Sequence, residues 1–353
     1  MTMKGPCQSP GRRRALIGAL QLAAFGAALR YAPGGLIANA SAQPRAPAEP
    51  PPRGTKVVLL GTRGGPGIDL ARNETASAVV VDGVTYLVDC GYGTLRALVA
   101  TGLSYTQIGL IFFTHLHDDH TADLTALLTH QWTNSRKMPT QIYGPYGTME
   151  LVDATNKVLD INAEIRIGDE GRTTRPEALF FGHDLPAAAK PTEVLKDERV
   201  HITAIENTHY PDRSKARMPH RSLAYRFDTA EKSIVFSGDT AYSKNLVELA
   251  RGVDFFICEV MAQSTYDRME KRAQEAIAQG QTFSIARHVA ETHSTPRDVG
   301  RMAKEAGVKT VVLNHQLWGA RQGQLEYPVT EYIKGVHENF GGEVIVGRDL
   351  MVL

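Results

Sequence analysis

Three histidines and two aspartates fall within six residues, His115-Leu116-His117-Asp118-Asp119-His120, separated from the apolar run Ile108–Phe113 by Thr114 alone. Such a run reads as a buried strand. Side chains two apart at a strand end face the same way, so His115 and His117 converge on one point. Asp119 and His120 follow where the chain turns, and Thr121 is placed to cap a helix beginning at Ala122 and Asp123. Imidazole nitrogens and carboxylates held near ~2 Å from an ion are what a zinc site requires. So dense a donor set makes poor core filler, because every buried polar group needs a partner.

Three later positions offer further donors, each just after an apolar run. Val200–Ile205 leads to His209, Ser233–Phe236 to Asp239, and Thr310–Leu313 to His315. Groups at strand ends gather along one edge of a sheet, where sites are commonly built. His220 precedes the run Leu223–Phe227 and competes with His209; His209 is preferred because it follows a strand, as the other donors do.

The remaining pattern is mixed. Strand-like runs include Val57–Leu60, Ala78–Val81, Thr85–Val88, Val253–Cys258 and Val344–Val346. Helical spacing appears near 94–101, 122–132, 147–158, 243–251, 265–290, 296–306 and 329–339. Paired strands early and alternating elements later fit two sheets covered by helices. Residues 160–198 are poorly periodic and read as a long loop near the site. The segment Leu60–Gly67 lacks the Gly-Lys-Ser/Thr ending of a phosphate loop and reads as a turn carrying backbone past the metal site. Cys90 and Cys258 end apolar runs and read as unlinked core thiols. Trp132, Tyr210 and Trp318 lie near the motifs in sequence without an assigned role.

The N-terminus reads as an address. A basic start, the uncharged stretch Ala15–Leu29 and the small-x-small site Ala40-Ser41-Ala42 have the layout of a secretory signal over 1–42. Arg13-Arg14 before an apolar pair is twin-arginine-like, giving an expectation of periplasmic or secreted protein without a membrane span once the signal is removed. Residues 43–55 hold five prolines and read as an extended linker. Without the first 42 residues the chain carries 34 basic and 38 acidic residues, a net of −4, which disfavours a nucleic-acid partner.

The chain resembles the metallo-β-lactamase superfamily, in its ribonuclease Z and arylsulfatase branch. The resemblance rests on Leu60-Gly61-Thr62, Leu87-Val88-Asp89-Cys90-Gly91, the His115–His120 motif, Ser237-Gly238-Asp239-Thr240, His293-Ser294-Thr295 and Asn314-His315, and covers nearly all of 56–353. It implies a four-layer αβ/βα sandwich, class α/β, with two zinc ions, other divalent metals being alternatives. By motif, His115, His117 and His209 would hold one ion, Asp119, His120 and His315 the other, and Asp239 would bridge them. Two ions sharing a carboxylate lower the pKa of bound water towards neutrality, with Asp119 the implied base. The resemblance also implies that His293 gives a proton to the leaving group, steadied by Glu259. Thr295 and Pro296 then start the next helix.

The tRNA-processing relatives of that branch carry a basic, Gly-rich arm between the third histidine and the bridging Asp. Only 29 residues separate His209 from Asp239 here, so the arm is missing. The expectation is therefore an exported zinc hydrolase for a small-molecule ester, with sulfate esters or phosphodiesters first. Carboxylic esters or lactones, a ribonuclease Z-like phosphodiesterase and a mono-iron sulfur oxygenase are the alternatives. Glu stands in place of His117 in flavodiiron proteins, and a cysteine ligand is common in true metallo-β-lactamases; both departures argue against those relatives. The family often dimerises, which makes a homodimer the assembly to look for, although one sequence shows no interface.

Overall fold

The computed structural model describes residues 53–317 and 328–353. The expected signal, residues 43–52 of the linker and Trp318 lie outside the described residues. The first sheet contains β1 (Thr55–Gly61), β2 (Ala76–Val81), β3 (Val84–Val88), β4 (Leu110–Phe112), β5 (Thr140–Gly144), β6 (Phe180–Asp184) and, beside β1, the C-terminal β14 (Met351–Val352). The second contains β7 (Thr192–Lys196), β8 (Val200–Glu206), β9 (Leu223–Thr229), β10 (Ser233–Phe236), β11 (Phe255–Met261), β12 (Thr310–Leu317) and β13 (Glu343–Val346). Their orders are β14-β1-β2-β3-β4-β5-β6 and β13-β12-β11-β10-β9-β8-β7. The helices are α1 (Thr94–Ala100), α2 (Asp118–Thr121), α3 (Leu124–Thr133), α4 (Thr148–Glu170), α5 (Asp212–Lys215), α6 (Lys244–Leu249), α7 (Gln263–Ala278), α8 (Ile285–Thr292), α9 (Pro296–Ala306) and α10 (Val329–His337).

Successive strand side chains point to opposite faces, and both faces of each sheet are covered. In β1, Val57 and Leu59 enter the core between the sheets, while Val58 and Leu60 enter the core under the helices. Leu98 of α1, Leu127 of α3 and Val152 of α4 cover the first sheet. Leu246 of α6, Val299 and Met302 of α9 and Tyr332 of α10 cover the second. The result is the expected four-layer αβ/βα sandwich. Strands buried on both faces read as continuous apolar runs, which is why most were visible in the sequence. Among the described residues no helix is long and apolar enough to cross a membrane. Cys90 and Cys258 are buried and free, as expected.

β10, β11 and β12 run parallel, and two antiparallel steps through β9 give β8 the same direction. Their C-terminal ends therefore share one edge. β3 and β4 are also parallel, with Asp89 following the first and Thr114-His115 following the second.

Several boundaries differ from the sequence reading. Residues 160–198 are not a long loop: they hold the second half of α4, then β6 and β7. Past Leu159, α4 exposes Ile161 at 71% and Ile165 at 63%, so no amphipathic stripe announces it. It stops at Gly171, which takes the left-handed conformation that suits a helix C-terminus. The helix expected over 265–290 is two, α7 and α8, because Gly280 is left-handed and Ser284 starts a new cap by accepting from the Arg287 N–H. Thr121 does not cap the next helix. α2 begins at Asp118, Thr121 donates back to the His117 carbonyl, and Asp123 accepts the backbone N–H groups of Gly93 and Leu95 at the start of α1. Thr295 behaves as expected: it forms a reciprocal capping box with Asp298, and Pro296 opens α9.

Phe112 sits at the centre of the inter-sheet core, with ring centroids 5.4 Å from Tyr143, 5.7 Å from Tyr225 and 5.6 Å from Phe227. Phe112→Ala is expected to cost about 3–5 kcal/mol, read as a lower urea midpoint at unchanged slope.

Candidate metal centre

The strand ends bring the predicted donors into two groups. His115, His117 and His209 form one, and Asp119, His120, Asp239 and His315 the other, with the donor atoms of each group lying within 4.8 Å of one another. In the first group His115 Nε2 is 2.9 Å from His117 Nδ1, and His209 Nε2 is 3.3 Å from that same nitrogen. His115 and His209 thus face the centre through Nε2, and His117 through Nδ1. His220 stays outside both groups, with Nδ1 3.1 Å from the Tyr146 carbonyl.

Asp239 lies between the groups. Its Oδ1 is 3.3 Å from His120 Nε2 and 3.1 Å from His315 Nε2, and its Oδ2 is 3.9 Å from His115 Nε2. One oxygen therefore faces each group, the geometry of a shared ligand.

A β-bulge aims His315. The register of β11 against β12 shifts so that Glu259 pairs with Asn314 and Val260 with Gln316. His315 is the extra residue, at φ 38. Bulges leave one residue unpaired and re-aim its side chain. Here Nε2 comes to 3.1 Å from Asp119 Oδ2.

The Leu60–Gly67 segment passes the site as expected. The Gly65 N–H donates to Asp119 Oδ2 at 2.6 Å. A Cβ at Gly65 would lie 2.4 Å from Asp119 Cγ, and one at Gly64 would lie 2.7 Å from His315 Cε1. Only glycine allows this approach.

The donors are themselves held. Asp89, at φ 59, accepts the Thr114 N–H at 2.8 Å through Oδ1 and faces His120 Nδ1 at 3.0 Å through Oδ2. His209 Nδ1 faces the Thr292 carbonyl at 3.4 Å. His293 Nδ1 lies 3.1 and 3.0 Å from the two Glu259 oxygens, and the Thr240 N–H donates to the same carboxylate. Glu259 and His293 are thus paired beside the donor groups.

Charge follows this layout. Burial, reinforced by the neighbouring His120, holds His115 well below its ordinary pKa. Burial also holds His209 down, against the pull of Asp239. Both are neutral imidazoles, the form a metal ligand needs. Burial would lower His120 too, but the carboxylates of Asp239, Asp89 and Asp119 raise it well above its ordinary value. Burial would raise Asp239, and His315 and His120 instead hold it far down. His293 is pushed up to about 9: burial opposes this, and the Glu259 charge and hydrogen bond prevail.

These residues fit divalent ions. Among the described residues, His120 Nε2 and Asp239 Oδ1 are buried atoms without a hydrogen-bond partner, and they face each other across the second group. Clustered carboxylates beside imidazole nitrogens suit a divalent cation.

Three residues of the site, Asp89, His288 and Tyr210, have no role assigned by the sequence alone. Asp89 lies in the Val88-Asp89-Cys90 motif, which was a usable signal. His288 lies on α8, where a single helical histidine gives none; it groups with His209 and His293. Tyr210 proves to be at the site, with its hydroxyl 3.3 Å from His117 Nε2. Trp132 does not: it packs in the outer core and donates to the Thr174 carbonyl.

Residues 85–316 match the family model of the beta-lactamase superfamily domain. The chain belongs to the metallo-β-lactamase superfamily, a hydrolase superfamily, and is ribonuclease Z-like. The ribonuclease Z of Mycobacterium bovis (strain BCG / Pasteur 1173P2) is 27% identical over 298 residues, covering 84% of this chain and 96% of that one. Human tRNase Z, short form, superposes with TM-score 0.60 at 22% identity over 84% of this chain and 98% of that one. The metallo-beta-lactamase fold protein YhfI from Bacillus subtilis gives TM-score 0.60 at 19% identity over 85% and 99%. Likenesses to solved structures at these identities speak to the fold.

Asp89→Asn keeps an acceptor for Thr114 but sets an amide N–H against the proton on His120 Nδ1. Metal affinity is expected to fall about 10–100-fold, measured by competition with a chelator, with the circular dichroism spectrum unchanged.

Proposed function

We propose that this protein is an exported binuclear zinc hydrolase of small phosphodiesters or sulfate esters. The observation that carries the reading is Asp239, placed with one carboxylate oxygen towards each donor group. His115, His117 and His209 would hold one ion, and Asp119, His120 and His315 the other, with Asp239 shared. When bound, two such ions supply an acidified water nucleophile and neutralise charge on the scissile group.

The chain's own residues supply the rest. Asp119 is held well below the usual carboxylate range: burial would raise it, but His120 and His315 prevail. Its Oδ2 is engaged by Gly65 and His315, which leaves Oδ1, ionised throughout the neutral range, to accept a hydrogen bond from the attacking water and orient it. His293 gives Nδ1 to Glu259, which leaves Nε2 to donate a proton to the departing oxygen. Its raised pKa keeps it protonated at neutral pH. The basic start, apolar stretch and small-residue site within 1–42 support export.

Two donor groups, rather than one, favour this reading over a mono-iron oxygenase, in which His120 and His315 would hold nothing. A second reading, phosphodiester cleavage in RNA, draws on the name of the mycobacterial relatives. Against it, residues 210–238 are taken up by α5, β9, β10 and their connections, leaving no room for an RNA-gripping arm.

Zinc-loaded protein is expected to cleave bis-p-nitrophenyl phosphate or p-nitrophenyl sulfate, to lose that activity to a chelator, and to leave precursor tRNA intact. Processing of the tRNA would establish the second reading instead. Activity on neither ester with two zinc ions bound would redirect the reading to carboxylic esters and lactones. Asp239→Ala is expected to lower bound metal and abolish turnover. His293→Ala should keep its metal and lose about 10²–10⁴-fold in kcat, least for activated leaving groups.

A further inference from the structure

The chain between the two members of the Glu259–His293 pair makes an excursion of two helices, α7 and α8. α8 runs directly into the pair, since His293 is the residue that ends it. The open cleft beside the donor groups is lined by Asp119, Asp239 and His293, and also by Ile285, His288 and Val289 of α8. Residues three and four apart share a helix face, so Ile285, His288 and Val289 form one stripe towards the cleft. Ile285 is 66% exposed there. An exposed apolar stripe facing a polar centre marks a place for an apolar group.

His288 completes the stripe with a polar atom. Its ring centroid is 5.1 Å from that of His209 and 5.9 Å from those of His117 and His293. Thr292 gives its hydroxyl proton to the His288 carbonyl, and the 3.5 Å between His288 Nδ1 and that hydroxyl oxygen is too long to hold the ring's proton on Nδ1, so Nε2 can carry it towards a ligand. α8 is anchored at both ends. Ser284 caps its start, and Glu291 joins Arg287 on the same helix to Arg213 of α5.

On the reading of this site as a metal hydrolase, we infer that α8 is its specificity element. Ile285 and Val289 form an apolar wall for the aryl or alkyl group of an anionic ester, and His288 Nε2 donates to a non-bridging oxygen of that ester. The substrate class is then a phosphate or sulfate ester of an apolar alcohol or phenol, distinct from a nucleotide, whose sugar is polar.

The test uses binding as well as turnover. Phenylphosphonate and methylphosphonate carry the same anion and differ only in the apolar group. Calorimetry on zinc-loaded protein is expected to show phenylphosphonate binding about tenfold tighter, from partial burial of the ring. Ile285→Ser with Val289→Ser should erase that difference while bound zinc stays unchanged. His288→Ala should weaken both ligands by about tenfold, the loss of a hydrogen bond to a charged group, and His288→Asn should restore most of it.

Equal binding of the two phosphonates by the unaltered protein, or a preference that survives the double substitution, would overturn the inference. With two zinc ions bound and esters still cleaved, that result leaves the hydrolase reading intact. Loss of a third zinc equivalent in His288→Ala would make His288 a metal ligand and overturn its substrate role. A protein that takes up no divalent metal would overturn the inference together with the reading beneath it.

Discussion

The buried carboxylate of Asp239 constrains everything around it. A carboxylate that is 2% exposed is stable only with positive charge or several donors close by. Asp239 has His115 on one side and His120 and His315 on the other, and Asp119 adds a second buried negative charge. The fold must deliver histidines from several distant points of the chain to within a few ångströms of this group. An α/β sandwich does so because its parallel strands end along one edge. The hydrophobic layers therefore serve the polar site: each strand end is fixed by a core on both of its faces.

Precision comes from backbone irregularities. His315 would stay in the ladder were it not for the bulge against Glu259 and Val260. Asp89 reaches both Thr114 and His120 from a left-handed backbone position just past the end of β3. Gly64 and Gly65 let a loop press against two donors, and the Gly65 N–H takes one oxygen of Asp119. Each departure from regular geometry carries a conformational cost, and each falls at the site. The other register shifts fall at Leu59–Gly61, leading into the Gly64-Gly65 loop, and at Glu193–Leu195 on the edge strand β7.

That division explains what could be read from the sequence. β1, β3, β4 and β8 were legible because apolar runs betray strands covered on both faces. The donor sets were legible because each follows such a run. α9 was legible from Thr295, Pro296 and its spacing. The second half of α4 was not, since Ile161 and Ile165 point outwards and spoil the periodicity. β6 and β7 were missed because they are short strands at sheet edges, with polar or charged residues among their five. His288 was invisible for a different reason: its role comes from the tertiary placement of α8, and no spacing within the helix encodes it.

The same contrast separates the family's chemistry from this chain's selectivity. The groups that would hold metal stand on strand ends and the short segments directly after them, where the cores leave little freedom, and His293, which would move a proton, is fixed at the end of α8 by Glu259. The groups that face a substrate beyond them stand on α8, a helix packed against α7 and tied by a serine cap and by Glu291's bonds to Arg287 and Arg213. Substitution on that helix disturbs little of the core, because Ala286 and Thr292 are its only buried residues. A site built this way can change its substrate while keeping its reaction. Membership of the superfamily therefore speaks to the scaffold, the donor groups speak to the reaction, and the side chains of α8 speak to what is brought to it.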